Sequence, residues 1–313
     1  MIEVIRGLHN LRSRHQGCVA SIGNFDGVHL GHQALIARVT EQAAALKLPA
    51  QLISFDPTPM ECFCPDKAPL RVQSTREKLV DLERYGIDRL LLVRFTQSFA
   101  AMPANTFVDD LLVGRLGVRH LVIGDDFRFG KGREGDFSLL QAAAETHGFS
   151  VEASPTVEVE GARVSSSRLR EALSSGNLTQ AEALTGRRYT IRGRIRSGLG
   201  LGRRIGSPTL NIEVRPVRAL RYGVYVVTMC HREQRYAAVA NFGLRPTVEE
   251  GRVSPLLEVH VLGAAQVPQM HHVAVEFNAF IRDEQKFADV TALQAQIAQD
   301  VAAAQAWIES HEA

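Results

Sequence analysis

The chain has 313 residues, 45% of them hydrophobic and 22% charged, with a formal net charge of +2. This length and composition suit two ordinary globular domains, and the near balance of charge gives no case for a nucleic-acid partner or a membrane surface. Because no apolar run is long enough for a transmembrane helix or a signal peptide, we expect a cytoplasmic protein. The spacing of the four cysteines fits no zinc site, so we expect free thiols at Cys18, Cys62, Cys64 and Cys230.

The first half of the chain alternates short apolar runs with helical patterns. Strands are predicted at Cys18–Ile22, Gln51–Phe55, Leu90–Val93 and Leu121–Ile123. Helices are predicted from His29 to about Leu46 with Leu35, Val39, Ala43 and Leu46 on one face, from a Ser74–Glu77 capping box to before Gly86, over Phe107–Leu116 and over Leu139–Thr146. This alternation predicts an α/β domain with a parallel sheet covered by helices on both faces.

The pattern changes after about Gly186. Six short strands separated by turns are predicted at Arg188–Arg196, Leu210–Val214, Val224–Cys230, Tyr236–Ala240, Leu256–Leu262 and Val273–Phe277. They favour a compact antiparallel β-barrel. A final amphipathic helix follows, because apolar residues recur at spacings of three and four at Leu293, Ile297, Val301, Ala304 and Ile308. We therefore expect one domain over residues 1–186 and a second over residues 187–313.

The first chemical motif lies in SIGNFDGVHLGHQALI, which covers Ser21–Ile36 and runs from a strand through a glycine-containing loop into a helix. His29 and His32 are three residues apart, so they share one face of the first helical turn. A helix N-terminus favours phosphate, and two imidazoles there can donate hydrogen bonds to a phosphate whose charge grows in the transition state. For so short a motif taken alone, one capping and one packed histidine is an equal alternative.

The position of this motif points to a known family. H-x-G-H directly after a first strand resembles the signature of the nucleotidyltransferase superfamily, and GNFDGVHLGHQ resembles the FMN adenylyltransferase module of prokaryotic bifunctional FAD synthetases. The resemblance implies a Rossmann-like N-terminal nucleotidyltransferase domain. It also implies catalytic roles for His29 and His32 and places Gly23 and Phe25 in the ATP site.

A second segment agrees with this resemblance. VIGDDFRFGKGREGD, Val122–Asp136, follows the fourth predicted strand and resembles the family's G-x-D-F-x-F-G segment, which implies that Asp126 and Phe127 contact the flavin. It is not a P-loop, because the glycine spacing is one residue too long and Lys131 is followed by glycine. Taken alone, the segment would be assigned to a basic surface turn.

A third segment, VSSSRLREAL, covers Val164–Leu173 and opens a predicted helix. It resembles the family's I-S-S-T-R-I-R motif, which implies that the ATP phosphates are bound by Ser165, Ser166, Ser167 and Arg168. Hydroxyls, backbone N–H groups and a guanidinium fork suit phosphate oxygens. An ordinary serine N-cap is the alternative for the segment alone.

The second half carries its own motif, SGLGLGRRIGSPTLNI, over Ser197–Ile212. A dinucleotide fingerprint is rejected because the G-x-G-x-x-G spacing and the following helix are missing. The segment resembles the glycine-rich flap and G-F-P-T-A-N motif of riboflavin kinase. The resemblance implies Mg²⁺ ligation by Thr209 and Asn211, whose oxygens suit a hard cation, and ATP contacts from Gly200, Gly202, Gly206, Pro208 and Thr209.

The kinase resemblance continues in LLEVHVL, Leu256–Leu262, where it implies that Glu258 is the general base that takes a proton from riboflavin. Besides a mild replacement of threonine by Ser167, the chain departs from the family pattern at two single residues and one five-residue segment. Ser207 replaces an aromatic residue, Gln266–Met270 (QVPQM) replaces an acidic-Leu-Tyr-Gly loop, and Thr58 replaces a common histidine.

These observations favour a bifunctional enzyme that phosphorylates riboflavin to FMN and then adenylylates FMN to FAD. It would use ATP as co-substrate and Mg²⁺ as cofactor, without a nucleic-acid or membrane partner, and its oligomeric state is open. One alternative is an adenylyltransferase whose kinase is weakened or lost. A relative of class I aminoacyl-tRNA synthetases shares H-x-G-H, but a K-M-S-K-S-like stretch is missing. A non-catalytic flavin-binding protein is the third alternative.

Overall fold

The computed structural model describes residues 1–196, 208–214, 218–246, 253–263 and 270–311. The chain forms two compact units: unit 1 contains Met1–Pro69 and Lys78–Ser166, and unit 2 contains Leu70–Glu77 and Ser167–Ala313. Residues 167–186 thus group with unit 2 by their contacts. The domain boundary expected after residue 186 remains a prediction.

Unit 1 is built on a six-stranded sheet with the order β1-β4-β3-β2-β5-β6, in which every neighbouring pair is parallel. The strands are β1 (Glu3–Arg6), β2 (Cys18–Ile22), β3 (Ala50–Phe55), β4 (Arg89–Val93), β5 (Val118–Gly124) and β6 (Ser150–Ser154). The predicted parallel sheet is confirmed. The edge strands β1 and β6 escaped prediction because their short sequences, EVIR and SVEAS, are too polar to give an apolar run.

Helices connect these strands. They are α1 (Leu30–Leu46), α2 (Pro59–Phe63), α3 (Thr75–Arg84, whose first three residues belong to unit 2), α4 (Gln97–Ala100), α5 (Ala104–Thr106), a π-helix over Phe107–Arg115 and α6 (Phe137–His147), and a small hairpin of β7 (Glu158–Val159) and β8 (Ala162–Arg163) follows β6. The predicted capping box of α3 is confirmed. Ser74 N donates to Glu77 Oε2 at 2.6 Å, and Glu77 N donates to Ser74 Oγ at 3.2 Å.

Both faces of the sheet are covered. Val19 of β2 packs in a cluster with Val39 of α1, and the next residue, Ala20, packs on the other face with Leu111 of the π-helix, since successive strand residues point to opposite faces. Of the four residues predicted to share one face of α1, Leu35, Val39 and Ala43 are buried, whereas Leu46 is 47% exposed. Leu46 is the last residue of α1, where the chain leaves the helical path.

Unit 2 contains a closed barrel with the strand order β10-β13-β12-β11-β14-β9, and all of its pairs are antiparallel. Its elements are α7 (Ser166–Ser175, whose first residue belongs to unit 1), α8 (Leu178–Thr185), β9 (Thr190–Arg196), β10 (Leu210–Glu213), β11 (Gly223–His231), β12 (Gln234–Pro246), β13 (Val253–Val261), β14 (His272–Arg282) and α9 (Val290–His311). The predicted antiparallel barrel is confirmed.

The predicted terminal helix is α9, and it packs on one side of the barrel. Ala304 is fully buried in a cluster with Val224 and Val226 of β11, and Val301 packs against that cluster. Within the described ranges, no helix is long and apolar enough to cross a membrane. All four cysteines are free.

Candidate active sites

A cavity of about 530 Å³ lies in unit 1 at the carboxyl ends of β2 and β5, where ligands bind in open α/β sheets. Its lining brings together most of the residues predicted for adenylyl transfer, namely Gly23, Phe25, His29, His32, Asp126, Phe127, Ser165 and Ser166. The other two predicted residues, Ser167 and Arg168, are not among the lining residues. They follow Ser166 in the helix Ser166–Ser175 and belong to unit 2.

The two histidines form a stacked pair at the start of α1. Their ring centroids are 3.7 Å apart and the rings are inclined by 15°. His29 is the N-cap, and its Nδ1 accepts a hydrogen bond from the backbone N–H of His32 at 3.3 Å. Neutral His29 therefore carries its proton on Nε2, which is a hydrogen-bond donor. His29 caps the helix and lines the cavity at once, so its role as a cap does not exclude a role in ligand binding.

Steric crowding explains why a glycine, Gly31, lies between the two histidines. A Cβ atom at this position would lie 3.3 Å from the ring of His29 and 3.6 Å from the carbonyl oxygen of Val164. The first of these distances is tighter than an ordinary van der Waals contact. A larger residue would therefore displace the ring of His29 from its stacked position.

The loop before α1 holds two unusual backbone conformations. Phe25 and Val28 have φ values of 49° and 39°, in the left-handed region that non-glycine residues seldom adopt. For a β-branched residue such as Val28 this is a strained conformation, and such strain clusters at functional sites. The Phe25 ring lies 5.2 Å from the ring of His32, so the strained loop and the histidine pair are in contact.

A polar cluster forms another part of the lining. Asp125 accepts hydrogen bonds from Thr156 Oγ1 and from Arg163, each at 2.7 Å, and Asp126 lies 3.0 Å from the same guanidinium. The hydrogen bond from Thr156, aided by the charge of Arg163 and opposed by burial, lowers the pKa of Asp125 below its ordinary value. Sequence reasoning missed Asp125, Thr156 and Arg163 because only the fold brings the ends of β5 and β6 and the hairpin together.

The lining also combines cationic and aromatic groups. Arg128, Arg133 and Arg163 supply three guanidinium groups, which suit phosphate oxygens. Phe127 and Phe55 add apolar surface, and the Phe127 ring stacks on that of Phe129 at 5.6 Å. The cavity can therefore accept a ligand that combines phosphates with a flat aromatic ring. Arg128 and Arg133 lie in the segment Val122–Asp136, which the resemblance links to the flavin site and which, taken alone, indicates a basic surface turn.

Thr58, which stands where the resemblance places a histidine, has a local structural role. Its hydroxyl accepts from Glu61 N at 3.4 Å, and its own N–H donates to Glu61 Oε2 at 2.8 Å. This capping box fixes the start of α2, whose first residue, Pro59, lines the cavity.

A second cavity, of about 160 Å³, lies in unit 2 between strands of the barrel and α9. Its lining includes Thr209 and Glu258, two residues predicted for the kinase site. Leu293 and Ile297 of α9 form part of its apolar wall. The predicted amphipathic face of the terminal helix thus serves this cavity as well as the packing of the barrel.

Strand register aligns polar side chains beside Glu258. In β13, Glu258 is the direct partner of Asn211 in β10 and of Asn241 in β12. Directly opposed residues share a face of the sheet, so these three lie in one row. Asn211 is only 9% exposed, and its Oδ1 has no hydrogen-bond partner among the described residues. A buried oxygen of this kind points to a water molecule or an ion. Asn241 was not predicted as a site residue, although it opens the segment NFGLRPTV, which resembles a conserved block of riboflavin kinase.

An ion pair fixes α9 next to the second cavity. Arg282 Nε and Arg282 Nη2 donate to the two carboxylate oxygens of Asp300 at 2.8 Å and 2.7 Å. Asp300 is buried and also accepts from Gln296. Both Arg282 and Asp300 line the cavity, and sequence reasoning missed them because the pairing spans two distant elements.

Several predicted kinase residues lie outside the described residues. They are Gly200, Gly202, Gly206, Ser207 and residues 266–269. Pro208 is exposed, and its carbonyl oxygen accepts from His260 Nδ1 at 2.9 Å. Met270, the last residue of QVPQM, is buried.

Comparisons with known proteins cover both halves of the chain. A family model described as FAD synthetase matches residues 11–168, and one described as riboflavin kinase matches residues 185–308. Among the relatives is a protein named bifunctional riboflavin kinase/FMN adenylyltransferase from Pseudomonas fluorescens, which is 45% identical over 97% of each chain. A protein of the same name from Escherichia coli K12 is 45% identical over 96% of each chain. Another, from Haemophilus influenzae, is 41% identical over 99% of this chain and 100% of its own.

Among solved structures, the chain is similar to one described as a macrolide-efflux protein from Streptococcus pneumoniae. The TM-score is 0.81 at 27% identity, and the match covers 97% of this chain and 99% of that one.

Proposed function

Because this chain belongs to the family of bifunctional riboflavin kinase/FMN adenylyltransferases, we propose that it phosphorylates riboflavin to FMN and then adenylylates FMN to FAD. Each step consumes one ATP, and the second releases pyrophosphate. One observation carries the proposal: the motif residues of each half meet at a cavity of their own unit, at His29 and His32 in unit 1 and at Thr209 and Glu258 in unit 2.

In unit 1, a phosphate oxygen of FMN attacks the α-phosphorus of ATP, and the bond to pyrophosphate breaks. His29, with its proton on Nε2, donates a hydrogen bond to the phosphate oxygens as their charge grows, and His32 acts beside it. The backbone around Gly23 and Phe25 and the hydroxyls of Ser165 and Ser166 hold the ATP. The proposal extends to Ser167 and Arg168, the next residues of α7. No covalent enzyme intermediate is needed, because positioning and charge stabilisation carry such a reaction.

The flavin lies, in this proposal, against Phe127 and Asp126. Phe127 offers a ring face that is held by stacking on Phe129, which suits the flat isoalloxazine ring. The Arg163 guanidinium lies 2.7 Å from Asp125 and 3.0 Å from Asp126. This arginine therefore fixes the acidic segment that the flavin contacts.

In unit 2, Glu258 takes the proton from the terminal hydroxyl of riboflavin. The hydroxyl oxygen then bonds to the γ-phosphorus of ATP, and ADP leaves. Glu258 is partly buried and lines the cavity beside Asn241 and His260, an environment that suits a carboxylate base. ATP is held by Thr209 and Pro208 and by the segment containing Gly200, Gly202 and Gly206.

Thr209 and Asn211 fit a magnesium ion. Asn211 Oδ1 is buried without a hydrogen-bond partner in the described part of the chain, and Asn211 shares a row with Glu258. A hydroxyl and an amide oxygen are ligands that Mg²⁺ accepts. When bound, the ion would neutralise charge on the ATP phosphates.

Two further expectations belong to this proposal. The two family models leave a gap between residues 168 and 185, which supports a boundary between the catalytic domains close to residue 186. We place the reaction in the cytoplasm, where ATP is available and free thiols such as the four cysteines persist.

One assay tests the proposal against its alternative. The purified full chain is incubated with riboflavin, ATP and Mg²⁺, and separately with FMN, ATP and Mg²⁺, and the flavins are resolved by chromatography. We expect FMN and FAD from the first mixture and FAD from the second. FAD from the second mixture only would establish an adenylyltransferase without kinase activity. No product in either mixture would overturn the proposal.

A further inference from the structure

Side chains hold the strained loop of unit 1 by donating hydrogen bonds to its backbone carbonyl groups. Gln33 Nε2 donates to Val28 O at 2.9 Å, and Ser166 Oγ donates to Asp26 O at 3.0 Å. At the start of the loop, the carbonyl oxygen of Asn24 accepts hydrogen bonds from two further side chains. Left-handed conformations at non-glycine residues persist only where the surroundings over-determine them. These donors therefore help to maintain the loop in its cavity-lining conformation.

Two donors converge on the carbonyl oxygen of Asn24. Lys78 Nζ of α3 donates to it at 2.5 Å, and Ser54 Oγ of β3 donates at 3.2 Å. The ammonium is also 3.5 Å from the hydroxyl of Ser54. Both side chains are buried, and Lys78 is only 7% exposed. Neither residue belongs to a motif that the sequence analysis recognised.

A buried lysine is unusual, because removing an ammonium from water is costly unless it is hydrogen-bonded. A hydrogen bond from a charged donor is roughly twice as strong as one between neutral groups. Lys78 is therefore the strongest of the described donors to the loop carbonyls.

We propose that Lys78 is a positioning residue of the adenylyl-transfer site, which fixes the loop Asn24–Val28 in its ATP-binding conformation by holding the carbonyl oxygen of Asn24. Lys78 does not line the cavity, so it acts through the loop. The inference rests on the proposed function of unit 1.

Such a role has a kinetic signature. Without Lys78 the loop populates its binding conformation only part of the time, and the apparent dissociation constant rises as the reciprocal of that fraction. Once ATP is bound the loop is restored, so the chemistry proceeds as before. The KM for ATP in adenylylation should therefore rise roughly tenfold or more, while kcat stays nearly constant. This is the pattern expected when a substitution changes only the fraction of protein whose loop can bind ATP.

The test compares Lys78→Met, Ser54→Ala and the double variant with wild type, all as full chains. Adenylylation of FMN is titrated with ATP, and riboflavin phosphorylation and thermal unfolding are measured on the same preparations. Arg84→Met is the matched control, because Arg84 is an exposed cation of the same helix. We expect a raised KM for ATP in Lys78→Met, a smaller rise in Ser54→Ala, and less than additive effects in the double variant, because both donors serve one acceptor. Arg84→Met should match wild type.

The outcomes separate the two proposals. A wild-type protein that forms no FAD overturns the proposed function and this inference with it. If wild type forms FAD, an unchanged KM in Lys78→Met overturns the inference alone, as does a fall in kcat at constant KM, which would indicate direct action on the transition state. If Lys78→Met does not fold, Ser54→Ala decides, because an unchanged KM in that folded variant overturns the role of the Asn24 carbonyl.

Discussion

The two cavities are built from different parts of secondary structure. In unit 1 the candidate site is a strained loop and the first turn of a helix, with His29 as the N-cap. In unit 2 it is a row of side chains on regular antiparallel strands, with Glu258 between Asn211 and Asn241. The first is specified mostly by consecutive residues, and the second by the register of three strands. A contiguous motif therefore reveals most of the first site but only parts of the second.

The candidate sites of the two units also differ in which polar groups they present. The loop of unit 1 presents backbone groups, and its conformation depends on donors such as Ser166 and Gln33 that bind its carbonyl oxygens. The strand row of unit 2 presents side chains from backbone that is already hydrogen-bonded, so its geometry needs no left-handed residues. A substitution should accordingly act on loop conformation in unit 1 and on chemistry or ion binding in unit 2.

The largest effect is expected from Glu258→Gln, which keeps the shape of the strand row but removes the basic carboxylate. Riboflavin phosphorylation should fall by roughly 10²–10⁴-fold, the usual contribution of a general base. Adenylylation of supplied FMN should be unchanged, because we propose that it takes place in the other cavity. The two rates are measured by chromatography of the flavins. A parallel loss of both rates would break the assignment of one chemistry to each cavity.

His29→Asn separates the capping role of His29 in unit 1 from its proposed role as a hydrogen-bond donor to phosphate. Asparagine is a good N-cap, so the helix should keep its capping hydrogen bond while the imidazole is lost. FAD formation should fall about 10²–10³-fold, the effect of removing one positioned donor, and FMN should accumulate from riboflavin. His29→Ala, which also loses the cap, should in addition lose about 1 kcal/mol of unfolding free energy. Unaltered FAD formation in His29→Asn would show that the histidine serves only as a cap.

Asn211→Ala tests the proposed role of the strand row in ion binding. Its buried Oδ1 makes no hydrogen bond to any described residue, so the free energy of unfolding should not fall through a lost hydrogen bond. The Mg²⁺ concentration for half-maximal kinase activity should rise by about 10–100-fold, while the Mg²⁺ requirement of adenylylation stays constant. Magnesium titrations of both activities check this. An equal shift in both would place the effect outside the kinase site.

The smallest effect is expected from Thr156→Val, which replaces the hydroxyl by a methyl group of similar size. Its hydrogen bond is the main cause that lowers the pKa of Asp125, so this pKa should rise toward its ordinary value, measured by carboxyl NMR. Stability from a depressed folded pKa is present above the unfolded pKa and lost as pH falls through the folded value. The variant should thus be less stable by under about 1 kcal/mol above about pH 4, and match wild type in stronger acid. An equal deficit at every pH would contradict the linkage.

Local features of this protein can be predicted from its amino-acid sequence. The central strands, the helix that begins after His29, the capping box of Ser74 and Glu77 and the amphipathic terminal helix follow from periodicity and capping residues, which depend on neighbours along the chain. The motifs around His32 and Glu258 likewise stand in contiguous segments.

The contacts that support both sites join residues distant in the chain, and they follow from the folded packing. Lys78 reaches Asn24 from a separate helix, Arg163 reaches Asp125 from the hairpin, and Arg282 pairs with Asp300 of the terminal helix. These residues have no local pattern, because charged side chains are ordinarily solvated and become informative only when the fold buries them against a partner. The edge strands and the exposure of Leu46 were likewise set by the packing of the sheet and the end of α1 rather than by their own sequence.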